Sequence, residues 1–90
     1  MPVFVVCYDL GGPETPASYS RIKSLIEKYP NCHAQQSVWF VEHPGPAATL
    51  RDQLKQALDS NDRIFVDPVS GAWAGFGMPV CGKWLNDRGL

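Results

Sequence analysis

The 90-residue chain predicts an α+β fold of the ferredoxin-like kind, in the order β-α-β-β-α-β, followed by an extra C-terminal strand or arm. Three observations carry that expectation. Apolar runs rich in β-branched and aromatic residues occur at residues 3–8, 38–41 and 64–66. Between them lie two stretches whose apolar residues return every three or four positions. Turn residues (Pro, Gly, Ser, Asn and Asp) mark each change of period.

The first run, Val3-Phe4-Val5-Val6-Cys7-Tyr8, has no polar alternation and reads as a strand buried on both faces. Asp9-Leu10-Gly11-Gly12-Pro13 closes it with turn residues. Thr15 followed by Pro16 then supplies a capping hydroxyl and a proline suited to the first helical position. Tyr19, Ile22, Leu25, Ile26 and Tyr29 fall on one face of the helix that follows, and Pro30-Asn31 stops it. Residues 32–43 are extended again, with Val38-Trp39-Phe40-Val41 as their strand core and Gln35-Gln36-Ser37 as a bend between two short strands. His43-Pro44-Gly45-Pro46 opens a second helix with Ala47, Leu50, Leu54, Ala57 and Leu58 on one face. Ser60-Asn61-Asp62 ends it, and Arg63-Ile64-Phe65-Val66 is the last strand of the pattern.

Two helices cover one face of a four-stranded sheet, yet three of the strands are apolar on both. With no third helix expected before residue 80, the simplest cover for the second face is another copy stacked across a two-fold axis. The segment from Val69 to Pro79 is rich in glycine but carries Trp73 and Phe76, and it reads as a fifth strand or arm that lays both aromatics on a surface. Residues 1–79 are thus expected as one domain and residues 80–90 as a tail, the latter with a final helical turn around Lys83, Trp84 and Arg88.

Composition limits the function classes. Eight Lys and Arg against nine Asp and Glu give a net charge of -1, without the basic surplus of proteins that grip nucleic acid mainly through phosphates. Three cysteines without a C-x-x-C pair read as free thiols in a reducing compartment. Met1 leads straight into a strand-like run without a basic leader, and no apolar stretch has the length of a membrane span. A cytoplasmic protein with no membrane association is expected.

Asp9 is the first candidate for chemistry, a carboxylate at the end of a buried strand where the backbone turns. It could hold a hard cation, Mg²⁺ or Mn²⁺, with waters completing the shell. It could equally just open the turn. Gln35-Gln36-Ser37 could read nucleic acid or satisfy backbone groups at the strand bend. Arg21, Lys23, Lys28, Arg51 and Lys55 on the two helices suit a solvated face better than a phosphate-binding one at this net charge. His33 and His43 lack zinc-site spacing, and no protease signature surrounds Cys32-His33. Gly11-Gly12 lacks the residues of a phosphate-binding loop.

Four local motifs, in this order of elements, resemble one known family. They are Val5-Val6-Cys7-Tyr8-Asp9, similar to a strand ending in Tyr-Asp; Arg21 early in the first helix; Gln35-Gln36-Ser37-Val38-Trp39, similar to Gln-x-Ser-Val-Phe; and Arg63-Ile64-Phe65, similar to Arg-Ile-Tyr. The family is the smaller protein of the CRISPR spacer-acquisition pair, ferredoxin-like endonuclease homodimers that also resemble the virulence-associated protein D toxins. The resemblance spans roughly residues 3–79. It implies a homodimer whose two Asp9 carboxylates approach across the two-fold axis and bind one divalent metal. Ser37 and Arg21 would then be secondary catalytic contributors, and RNA or DNA the partner. The chain departs from the family at Gly11-Gly12-Pro13-Glu14, at His33-Ala34 and at Trp39, and a second helix-start arginine is missing. These departures and the near-neutral charge keep a second reading open: a non-catalytic homodimeric module that binds a protein partner through its aromatic arm.

Overall fold

The computed structural model describes residues 1–12 and 16–90. The expected helix cap at Thr15, with Pro13 and Glu14, lies outside the described residues. The elements are β1 (Val3–Asp9), α1 (Pro16–Ile26), β2 (Asn31–Gln35), β3 (Val38–Glu42), α2 (Ala47–Lys55), β4 (Arg63–Pro68) and α3 (Pro79–Asn86). The strands form one sheet in the order β2-β3-β1-β4, with every neighbouring pair antiparallel. That is the ferredoxin-like arrangement, two interleaved β-α-β units with the first and third strands adjacent at the centre. The expected bend at Gln36 and Ser37 is the tight turn joining β2 to β3, and a pairing irregularity between His33 and Gln35 precedes it.

Alternation along the strands builds two cores, one per face. Phe4, Val6 and Tyr8 of β1 and Trp39 and Val41 of β3 point toward the helices, where Ile22 and Ile26 of α1 and Leu50 and Leu54 of α2 meet them. These four helix residues have no measurable exposure, which confirms the three- and four-residue periodicity of the sequence. The opposite parity, Val3 of β1, Phe40 of β3 and Cys32 of β2, faces a second cluster completed by Cys81 and Leu85 of α3.

α3 is where the structure departs most from the sequence expectation. Cover for part of the second face comes from within the chain, by a helix that starts at Pro79 and buries Cys81 and Leu85 one turn apart. Gly82 inside it and only two buried positions left its periodicity too short to register as more than a helical turn. The free-thiol expectation is corrected as well: Cys32 and Cys81 form a disulfide that ties β2 to α3, and only Cys7 is free. Among the described residues the expected fifth strand is absent; residues 69–78 form an irregular passage from β4 to α3. Trp73 packs against the second core from this passage, as expected of it. Phe76 does the reverse and is wholly exposed.

α3 leaves the other half of that face open. Val5 of β1 packs at the edge of the second core, Cys7 beyond it is half-buried, and Phe65 of β4, paired with Cys7, is 62% exposed. Among the described residues no helix is long and apolar enough to cross a membrane.

Candidate functional site

Asp9 lies at the carboxyl end of β1. Because Tyr8 points into the helix-side core, strand alternation sends the Asp9 side chain to the opposite, open face. Its partner across β4 is Arg63, a juxtaposition that only the register reveals. Cys7, Tyr8, Asp9, Arg63, Ile64 and Phe65 line a depression of about 250 Å³ at this corner of the sheet. It is therefore an apolar floor with one acidic and one basic residue at its rim. Burial pushes the Cys7 thiol up from its ordinary pKa, so Cys7 contributes a neutral, weakly reactive surface to that floor.

The turn after Asp9 is held by a residue that sequence reasoning passed over. Asp62 accepts the Gly11 backbone N–H through Oδ1 at 2.9 Å and the Asp59 backbone N–H through Oδ2 at 2.8 Å. These two bonds, with a smaller contribution from Arg21, hold its carboxyl below the usual aspartate range against a modest opposing effect of desolvation. Gly11 has no room for a side chain, since a Cβ would run into the Asn61 carbonyl. The chain leaving Asp9 is thus pinned to the chain entering β4. Asp62 follows a Ser-Asn turn signal, and nothing local in sequence marks which distant backbone it caps.

Ser37 is close to the site by its backbone: Tyr8 N–H donates to the Ser37 carbonyl at 3.1 Å, so β3 begins beside the end of β1. Arg21 stands in the helix layer, on the other side of the sheet from the Asp9 side chain, with its guanidinium 3.9 Å from Asp59. The structure therefore brings Asp9 and Ser37 to one end of adjacent strands and sets Arg21 apart, linked to them through the Asp59–Asp62 turn.

Tyr8, the residue before Asp9, is fixed by Trp39. The indole Nε1–H donates to the Tyr8 hydroxyl at 3.0 Å inside the helix-side core. Burial raises the Tyr8 pKa, and the Trp39 bond partly offsets that rise. His33 stacks flat on Trp39 with 3.8 Å between ring centroids. His43 is buried with both nitrogens engaged: Gly45 N–H donates to Nδ1 at 2.7 Å, so Nε2 carries the proton and donates to Gln53 Oε1 at 2.8 Å. Both histidines serve packing, and among the described residues no three His, Cys, Asp or Glu side chains cluster as metal ligands.

Residues 1–75 match the family model described as CRISPR associated protein Cas2. The chain belongs to the CRISPR-associated Cas2 family. The match contains Asp9, Ser37, Arg21 and all four strands, and it ends before α3. Among solved structures, Streptococcus pyogenes Cas2 is 25% identical with a TM-score of 0.62, covering 83% of this chain and 99% of its own. A hypothetical protein of Thermus thermophilus shares the fold with a TM-score of 0.65 at 23% identity, over 84% of this chain and 90% of that one. The ferredoxin-like fold expected from the sequence is therefore one shared with a solved Cas2 structure, and α3 lies beyond the residues that match the family.

Proposed function

We infer that this Cas2-family chain works as a homodimer that acts on phosphodiesters of RNA or DNA, with a divalent cation held between two Asp9 carboxylates. The observation that carries the reading is the position of Asp9 at the rim of the open half of the sheet face, beside the exposed Phe65. A second copy covering Phe65 and Cys7 removes apolar surface from water and draws the two acidic rims together. Two like charges brought close repel, and a cation relieves that repulsion.

One chain offers too few ligands for a closed protein cage. The donor set nonetheless suits Mg²⁺ or Mn²⁺, which commonly take one or two carboxylates and keep several waters. When bound, the cation supplies positive charge for the negative charge that develops at a phosphodiester. Asp9 holds it. Arg63, beside Asp9 in the register, offers a cation to a neighbouring phosphate. Ser37 contributes a hydroxyl at the end of the adjacent strand. Arg21 acts indirectly, by steadying the Asp59–Asp62 turn that pins Gly11.

The test is cleavage of single- and double-stranded RNA and DNA by purified protein, with Mg²⁺, Mn²⁺ or chelator. Metal-dependent cleavage that disappears in Asp9→Ala supports the reading; cleavage that persists in Asp9→Ala, or none by the wild type on any substrate, overturns the catalytic part of it.

One observation favours the second reading, a non-catalytic homodimer that binds a protein partner. Phe76 is fully exposed beside a groove formed with Trp73 and Met78, where an aromatic side chain gains nothing from its own fold. A dimer without nuclease activity whose partner binding is lost in Phe76→Ala is the outcome that selects it.

A further inference from the structure

α3 lies beyond the part of the chain that matches the family: the match ends at residue 75 and the helix starts at Pro79. Its eight residues are too few to remain helical in water unaided, so its order depends on what it is attached to. Apart from the disulfide, those attachments are contacts between side chains, with Trp84 and Met78 also packed at the edge of the second core. Leu85 and Cys81 are buried against Val3 and Phe40, and the Arg88 guanidinium lies 3.8 Å from Glu42. Among the described residues no backbone hydrogen bond joins α3 to the sheet. The passage that tethers it to β4 has no regular secondary structure and contains Gly71, Gly75 and Gly77. Against this, Cys32 and Cys81 close a covalent bond between residues 49 positions apart, from the edge strand to the helix.

We propose that the Cys32–Cys81 disulfide is a redox latch that holds α3 over the second face of the sheet. In the oxidised chain α3 covers Val3 and Phe40. A dithiol reductant opens the latch: it gives up two electrons and two protons, closes its own disulfide, and leaves Cys32 and Cys81 as thiols. α3 then keeps only its side-chain packing and opens as a local unit while the sheet and its two helices stay folded. Opening uncovers Val3 and Phe40, and because Val3, Val5 and Cys7 share one side of β1, the newly bared surface is continuous with the patch around Phe65. The latch thereby sets how much apolar face is offered to a second copy; that consequence, unlike the latch itself, rests on the dimer reading above.

The experiment is hydrogen–deuterium exchange of the full chain in three forms: oxidised, reduced with dithiothreitol, and Cys81→Ser, with Cys32→Ser as a second variant should the first fold poorly. Thiol titration accompanies it, and one free thiol per oxidised chain, Cys7, is expected. α3 amides exchange at least tenfold faster in the reduced and Ser forms, while β1 and β3 amides keep their protection. Equal α3 protection in oxidised and reduced protein overturns the latch. So does simultaneous loss of protection across the sheet, which makes the bond a staple of the whole fold, and so does a wild type that keeps three free thiols after mild oxidation. Light scattering on the same samples separates the two claims. Faster α3 exchange with an unchanged dimer fraction supports the latch and removes its link to pairing, whereas monomers in every form contradict the dimer reading alone.

Discussion

Replacing Tyr8 by Phe removes one oxygen atom and strands one buried donor. Trp39 is 3% exposed, and its Nε1–H has the Tyr8 hydroxyl as its partner, at 3.0 Å. A buried donor left without a partner costs about 1–3 kcal/mol, more than the net worth of the bond, because the indole N–H cannot recover water. Tyr8 itself keeps its ring, so no large cavity is added to that cost. For a domain of this size, about 2 kcal/mol corresponds to a fall in melting temperature of roughly 8–16 °C. The cause is isolated by repeating the change in a Trp39→Phe background, where no donor remains to be stranded. There Tyr8→Phe becomes nearly neutral, and the double-mutant cycle returns a coupling of about 1–2 kcal/mol. Thermal and urea melts of the four proteins supply the numbers. A cycle with no coupling shows that the Trp39 indole does not depend on the Tyr8 hydroxyl, and removes Trp39 as the residue that fixes the neighbour of Asp9.

Two further outcomes follow from the site. Phe65→Asp places a charge at the centre of the open face; since Phe65 is 62% exposed, the fold is retained while dimer affinity falls at least about tenfold by sedimentation, and an unchanged mass distribution contradicts the proposed pairing surface. Asp62 makes stability depend on acid. Its folded carboxyl lies below its unfolded value, so its contribution is complete above the ordinary aspartate pKa of about 4 and disappears as pH falls through the lower folded value. Asp62→Asn lacks that titration, and melting temperature plotted against pH declines less steeply below about pH 5 than in the wild type; parallel profiles contradict the role of Asp62 as the pin of the Gly11 turn.

Much of the fold was legible because strand and helix periods are written in local sequence. The runs at residues 3–8, 38–41 and 64–66 became β1, β3 and β4, and Ile22, Ile26, Leu50 and Leu54 became the buried stripes of the two helices. The need to cover a second apolar face was also legible, from strands with no polar alternation. What covers it was not. Cys32 and Cys81 carry no spacing that announces a pair, and a helix with two buried positions and an internal glycine gives almost no periodic signal. Phe76 illustrates the opposite limit: an aromatic among glycines in sequence reads as an anchor, yet its placement depends on a passage with no period at all. At the site, Asp9 could be singled out by its place at a strand end. Arg63 as its neighbour and Asp62 as the pin of its turn depend on register and on contacts across more than 50 residues, which no local pattern encodes.

If two Asp9 carboxylates share one cation across a homodimer, calorimetric titration with Mn²⁺ reads the stoichiometry of that sharing. One ion is expected to bind per two chains in wild-type protein whose mass is that of a dimer, and none in Asp9→Asn at unchanged mass. One ion per chain, or binding that survives in Asp9→Asn, contradicts it.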